Sequence, residues 1–272
     1  MTRVACTVVV ALTVVSIGCG KHADRSDPTG SGSGSSPTTS LPVDATTTTT
    51  SPSDTITDPI ADENPTIPVV TAAFDGTPPA FPQLSKDART AAVEVDTLVG
   101  LTGATTYAVA FVTTAGPTGT ISLVDAKLAH VLLEATEPGK PAAIDRPGLA
   151  RTASTIRKRL SDAGFSPFER KIEELAMGDP NPVGSAKLQL SEADDGTLSL
   201  AVLDAAGKPL TKDTVKPVAM GKVADLECVS QPLPRHAWTD TARKRLLVEI
   251  GWNAGPDQCN APDALYRLYV IP

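Results

Sequence analysis

The chain has 272 residues, with 24 lysines and arginines against 31 aspartates and glutamates, and a net charge near −7 at neutral pH. That balance lacks the basic footprint of a nucleic-acid-binding domain and argues against such a partner. Aromatic residues are only 4% of the chain, so its core must be built mostly from Val, Leu, Ile and Ala.

In chain order, a leader comes first. Arg3 supplies a positive start, and Val4 to Ile17 is an uncharged apolar run leading into Gly18-Cys19. A charged start, an apolar stretch of roughly 7–15 residues and a small residue before the cut define an export signal. The run is shorter than the about 20 residues a membrane-spanning helix needs. Its end resembles the lipobox of bacterial lipoproteins: Ile17, Gly18 and Cys19 match, while Ser16 stands where leucine is usual. The resemblance implies a signal peptide over residues 1–18, cleavage before Cys19, and membrane lipid bound covalently through Cys19. It implies an exported, lipid-anchored protein of the bacterial cell envelope. Gly20, in place of an aspartate, favours the outer membrane in a cell that has one. The alternative is an ordinary secretory signal or an uncleaved anchor, with Cys19 incidental.

Residues 19–68 read as a disordered acidic stalk. Gly30 to Ser36 is GSGSGSS, Thr46 to Thr50 are all threonine, and Pro52, Pro59, Pro65 and Pro68 punctuate the remainder. Such a tract cannot bury enough apolar surface to offset the entropy of ordering, and its composition is one that is often glycosylated. It holds most of the net negative charge and, as a flexible coil, would span about 35–40 Å. With Cys6 lost in the leader and Cys19 lipidated, Cys228 and Cys259 remain. One disulfide between them would close a loop of about thirty residues and contribute about 3 kcal/mol in the chain-entropy account. Metal binding is the alternative, but two isolated cysteines lack the paired spacing of a zinc site.

Residues 69–272 are expected to form a single α+β, β-rich domain of antiparallel hairpins, with one amphipathic helix packed on the sheet. Strands are predicted at Thr90–Val95, Thr105–Thr113 and Gly119–Asp125, the last continuing through Val131–Glu134 and so taking in the neighbourhood of His130. Leu149, Ala153, Ile156, Leu160 and Ala163 share one face of a helix from Pro147 to Ala163, with Gly164 suited to its C-terminal cap. Its other face bears Arg151, Arg157, Lys158 and Arg159, either a patch for anionic lipid or cell-wall polymer or simply a solvated face. A shorter helix is predicted over Phe168–Met177. Lys187–Ser191 and Leu198–Leu203 flank Asp194-Asp195-Gly196, a hairpin signal, and Gly207 suits a second turn. Two further strands, Arg245–Trp252 and Leu265–Ile271, end the chain.

Two parts of the domain echo one another. Ala88-Arg89-Thr90-Ala91-Ala92-Val93-Glu94-Val95 parallels Ala242 to Ile250 with one inserted residue, and each is followed by a tyrosine-led strand, at Tyr107 and Tyr266. With Phe81 to Asp87 before it, the first unit resembles the opening of a TolB-type β-propeller repeat over residues 81–95. Ala88 stands where that family has glycine, and the second unit keeps Asp240 but little else. Two units are too few for a propeller, which needs at least four blades, so a complete propeller is not expected.

No motif for a cofactor, metal or catalytic nucleophile is present. The candidate binding surface is the stretch containing His236, Trp238, Asp240 and Trp252, expected in loops beside the disulfide. It would serve an envelope protein or a glycan, unless the tryptophans simply fill the core. The expected function is therefore a non-enzymatic binding or envelope-structural domain on a membrane anchor. The alternative is a small envelope hydrolase using His236 and Asp240 with an unidentified nucleophile.

Overall fold

A computed structural model describes residues 64–99, 103–135, 144–223, 226–253 and 262–272. In chain order the elements are α1 (Thr66–Ala73), β1 (Gln83–Leu84), β2 (Thr90–Val95), β3 (Tyr107–Thr113), β4 (Gly116–Val124), α2 (Ala126–Glu134) and α3 (Arg146–Asp162). There follow β5 (Ser166–Pro167), β6 (Arg170–Ile172), β7 (Asn181–Val183), β8 (Ala186–Glu192), β9 (Leu198–Leu203) and β10 (Pro209–Val215). The last four are β11 (Val218–Val223), β12 (Leu226–Asp240), β13 (Arg245–Asn253) and β14 (Leu265–Val270).

The strands form three antiparallel sheets, in the orders β4-β3-β2-β1-β5, β10-β9-β8-β7 and β11-β12-β13-β14, with β6 alongside β12 in the third. None closes into a barrel, and the fold is β-rich α+β without being a propeller. Three apolar clusters stack these sheets. One face of the first sheet, through Ala92, Val109 and Phe111, meets Phe74, Leu132, Ile156 and Leu160 from the helical side. Its other face, through Ala91, Val93, Ala110 and Val112, meets Leu247 and Leu268 of the third sheet. The far side of the third sheet, through Leu246, Val248 and Ile250, packs on Leu188, Leu190, Leu200 and Val202 of the second.

This layering explains the residue patterns. Strands β2, β3 and β13 are covered on both faces and read as near-continuous apolar runs (TAAVEV, YAVAFVT, RLLVEIGW). Strand β8 lies on the outside and alternates buried with exposed residues, as a sheet with one wet face should. Its hairpin to β9 turns at Gly196, at φ 77°, as expected from the Asp-Gly signal.

Helix α3 lies where expected. The Asp145 side chain accepts from the Gly148 N–H and caps its start. At its end Phe165 N–H donates to Leu160 O and Gly164 N–H to Ser161 O, the paired bonds of a Schellman cap with Gly164 at φ 58°. Two expectations are corrected. Val131 to Glu134 belong to α2, not to a continuation of β4: Asp125 accepts from Leu128 N–H, and Ala129 and Leu132 turn inward at helical spacing. The run LAHVLL is equally apolar under either period, so only the cap distinguishes them. The segment from Phe168 to Met177 is not a helix, because Arg170–Ile172 pairs with Thr239, Trp238 and Ala237 of β12. Pairing to a strand edge overrides the helix propensity of its Glu and Lys residues. Helix α1 also begins at Thr66, inside the stretch assigned to the stalk.

A Cβ at Gly164 would lie 3.2 Å from the Lys86 Cβ in addition to its left-handed strain. Gly164→Ala should therefore lower unfolding free energy by about 1–2 kcal/mol in urea titration, without changing the fold.

Candidate functional site

The two echoing segments each fold as strand, turn and strand, and they face one another across the middle apolar cluster. In the first turn Ser85 Oγ donates to Asp87 Oδ1 at 2.7 Å, and Ala88 takes a left-handed conformation at φ 57°. In the second turn Lys244 does the same, also at φ 57°. The turns are joined by two arginines. Arg243 donates to Leu84 O at 2.8 Å, to Ser166 Oγ at 2.9 Å and to Pro167 O at 2.9 Å, and Arg245 donates to Ala88 O. At the other end of the interface Tyr266 Oη donates to Glu94 O at 3.1 Å.

Asp240 orients this clamp. Its carboxylate accepts from Arg243 Nε at 2.8 Å and Arg243 N at 2.7 Å, with its side chain only 6% exposed. Burial works to raise the Asp240 pKa, but the hydrogen bonds and positive charge of Arg243 outweigh it and hold the carboxyl below its ordinary value. Asp240 is thus a structural anion and does not partner His236.

His236 lies in β12, not in a loop. A bulge at Arg235 places Arg235 and His236 together opposite Glu249. His236 Nδ1 and Glu249 Oε2 are 2.9 Å apart, with side-chain exposures of 39% and 13%. The Trp238 ring lies 5.7 Å from the imidazole, centroid to centroid. Glu249 in turn faces Tyr266 on β14, so one row of the sheet reads His236, Glu249, Tyr266. Trp252 is on the opposite face, buried in the core against the second sheet, and its Nε1–H donates to Asp263 O at 2.8 Å. The four residues of the expected binding surface are therefore divided: His236 and Trp238 adjoin, Asp240 is buried beside them, and Trp252 is core.

The His236–Glu249 pair has the form of a base and an orienting carboxylate. No hydroxyl or thiol among the described residues hydrogen-bonds to the imidazole. The other histidine of the domain, His130, is exposed on α2. Cys228 is buried and disulfide-bonded, whereas Cys19 and Cys259 lie outside the described residues. No cluster of three metal-ligating side chains occurs among the described residues, nor any helix long and apolar enough to cross a membrane.

Four basic side chains of α3 are engaged within the protein. Arg157 donates to Phe74 O and lies over its ring; Arg159 stacks 3.6 Å above the Phe111 centroid. Lys158 pairs with Asp162 at 2.7 Å, and Arg151 approaches Asp145 at 3.9 Å. Beside the α3 C-terminus, a cavity of about 630 Å³ is lined by Ser85, Lys86, Asp87, Thr90, Phe111, Arg159, Ala163 and Phe165. Sequence reasoning missed this site, because its walls come from a turn, a strand and a helix end far apart in the chain. The only local signal was the turn Ser85-Lys86-Asp87-Ala88. No protein family, curated protein or solved structure matches the chain.

Arg243→Ala would leave the Asp240 carboxylate buried without its cation and with only backbone N–H partners, at a cost of about 3 kcal/mol measured by urea unfolding near neutral pH. Because the folded-state pKa of Asp240 is depressed, its stabilisation is present above the unfolded value of about 3.9 and is lost as pH falls through the lower folded value. The acid limb of the stability profile should accordingly be shallower in Arg243→Ala than in the parent.

Proposed function

We propose that this chain is an exported bacterial lipoprotein whose folded domain is a non-enzymatic binding or envelope-structural module. The observation that carries the anchor is Ile17-Gly18-Cys19 at the end of an apolar run, followed by a Ser/Thr/Pro-rich tract that separates Cys19 from the first described helix at Thr66. A binding role is supported by how the domain uses its polar groups. Asp240, Arg243 and Arg245 bridge sheets, which leaves His236 and Trp238 as a half-exposed polar and aromatic surface. Strands β11 and β12 also expose Val218, Met220, Val229 and Leu233, apolar side chains of the kind that contact partners. In this reading Cys259 is the partner of the disulfide-bonded Cys228, and an envelope protein or glycan is the ligand class.

The test is the amino terminus. Mass spectrometry of the mature protein should find Cys19 first and carrying diacylglycerol, and Cys19→Ala should move the protein out of the membrane fraction. An unmodified terminus at any other residue would overturn the proposal.

A further inference from the structure

We infer that the cavity beside the α3 C-terminus is a binding site for a small organic anion with a flat apolar body, an aromatic carboxylate or phosphate monoester. This rests on the binding-module reading of the domain but not on its lipid anchor. At about 630 Å³ the cavity has the size of a small-molecule site. Its walls combine two unlike surfaces. Phe165, which meets the fully buried Phe111 edge to face at 5.9 Å, and Ala163 form an apolar side. Lys86 and Arg159, both exposed, supply two positive charges, and neither forms an ion pair with a carboxylate among the described residues.

The one carboxylate on the rim does not cancel them. Asp87 stays ionised, its pKa held below the ordinary value first by the Ser85 hydroxyl and then by the Arg89 N–H. The Arg89 guanidinium 4.0 Å away offsets its charge, so Lys86 and Arg159 leave the rim net positive. The helix end does not repel an anion through free carbonyls either. Phe165 and Gly164 cap Leu160 O and Ser161 O, and Lys86 N–H donates to Ala163 O at 3.1 Å, which also fixes the turn against the helix.

Arg159 sets the shape of the ligand. One face of its guanidinium packs on Phe111, leaving a planar cation at the cavity wall. A second ring can stack on the outer face of that plane while an anionic group takes the guanidinium edge and the Lys86 ammonium. Lysine at this position would keep the charge but lose the plane.

The experiment is titration of the purified full chain with 1-naphthyl phosphate and with neutral 2-naphthylmethanol, followed by naphthyl fluorescence and calorimetry. The phosphate should bind, and about tenfold or more tighter than the alcohol. Lys86→Gln, an exposed change that leaves the melting temperature unchanged, should weaken the phosphate by about tenfold and leave the alcohol unaffected. Arg159→Lys should weaken both ligands, since the stacking plane is lost. Lys212→Gln, on the exposed edge strand β10, should change neither. No binding, equal affinity for the two probes, or an unchanged affinity in Lys86→Gln would each overturn the assignment. Failure here with release of Cys19→Ala from the membrane would remove the cavity and keep the tether; the converse result would do the opposite.

Discussion

The structure depends on burying the central strand of the third sheet, β13, on both of its faces. Strand β13 has no solvent side, because Leu246, Val248 and Ile250 enter one apolar cluster and Leu247 enters another. A strand in that position can carry a polar residue only where a partner meets it, since an unpaired buried charge is strongly unfavourable. Glu249 is met by His236 across the bulge, and Asp240, at the end of the preceding strand, is met by Arg243. The arginine clamp between the two turns then fixes the first sheet on the third, and the helices can cover only the face that remains.

This arrangement decides where ligand chemistry is available. The central interface consumes the buried ion pair and both turn arginines, so polar groups free to meet another molecule lie at its margins. One margin is the His236–Trp238 surface beside the bulge. Another is the α3 end, where the first turn, the helix cap and the Phe111 ring converge. Both are produced by the same packing: the first turn is pinned from one side by Arg243 and Arg245, and from the other by its hydrogen bond to Ala163.

Much of the fold was legible where a local signal and the tertiary environment agree. The apolar run Thr90–Val95 matches the limits of β2, the Asp-Gly signal marks the hairpin turn, and the apolar stripe and Gly164 mark α3. Legibility failed where one residue pattern serves two structures. LAHVLL is apolar under either period, and only the Asp125 cap settles it as helix. The segment around Arg170–Ile172 carries helix-forming residues but is recruited by an edge of β12, whose presence there nothing nearby in sequence announces. Of the candidate site, the sequence displays the aromatic and histidine residues but not their grouping. A single bulge at Arg235 changes which residues share a face, and it assigned Glu249 to His236 while Asp240 went to Arg243.

The facing of the two strand-turn-strand units has a consequence for how the chain must acquire its structure. The first unit precedes by far the surface it packs on: Ala91 and Val93 lie in β2, whereas Leu268 lies in β14. Strand β1 likewise waits for β5, with Gln83 pairing Pro167. Contacts this distant in sequence carry a large loop-closure entropy before they return any stabilisation, so folding is slow and cooperative. A chain made amino terminus first cannot complete this interface until β14 has appeared. The central interface therefore forms as one unit, and not piece by piece as the chain appears.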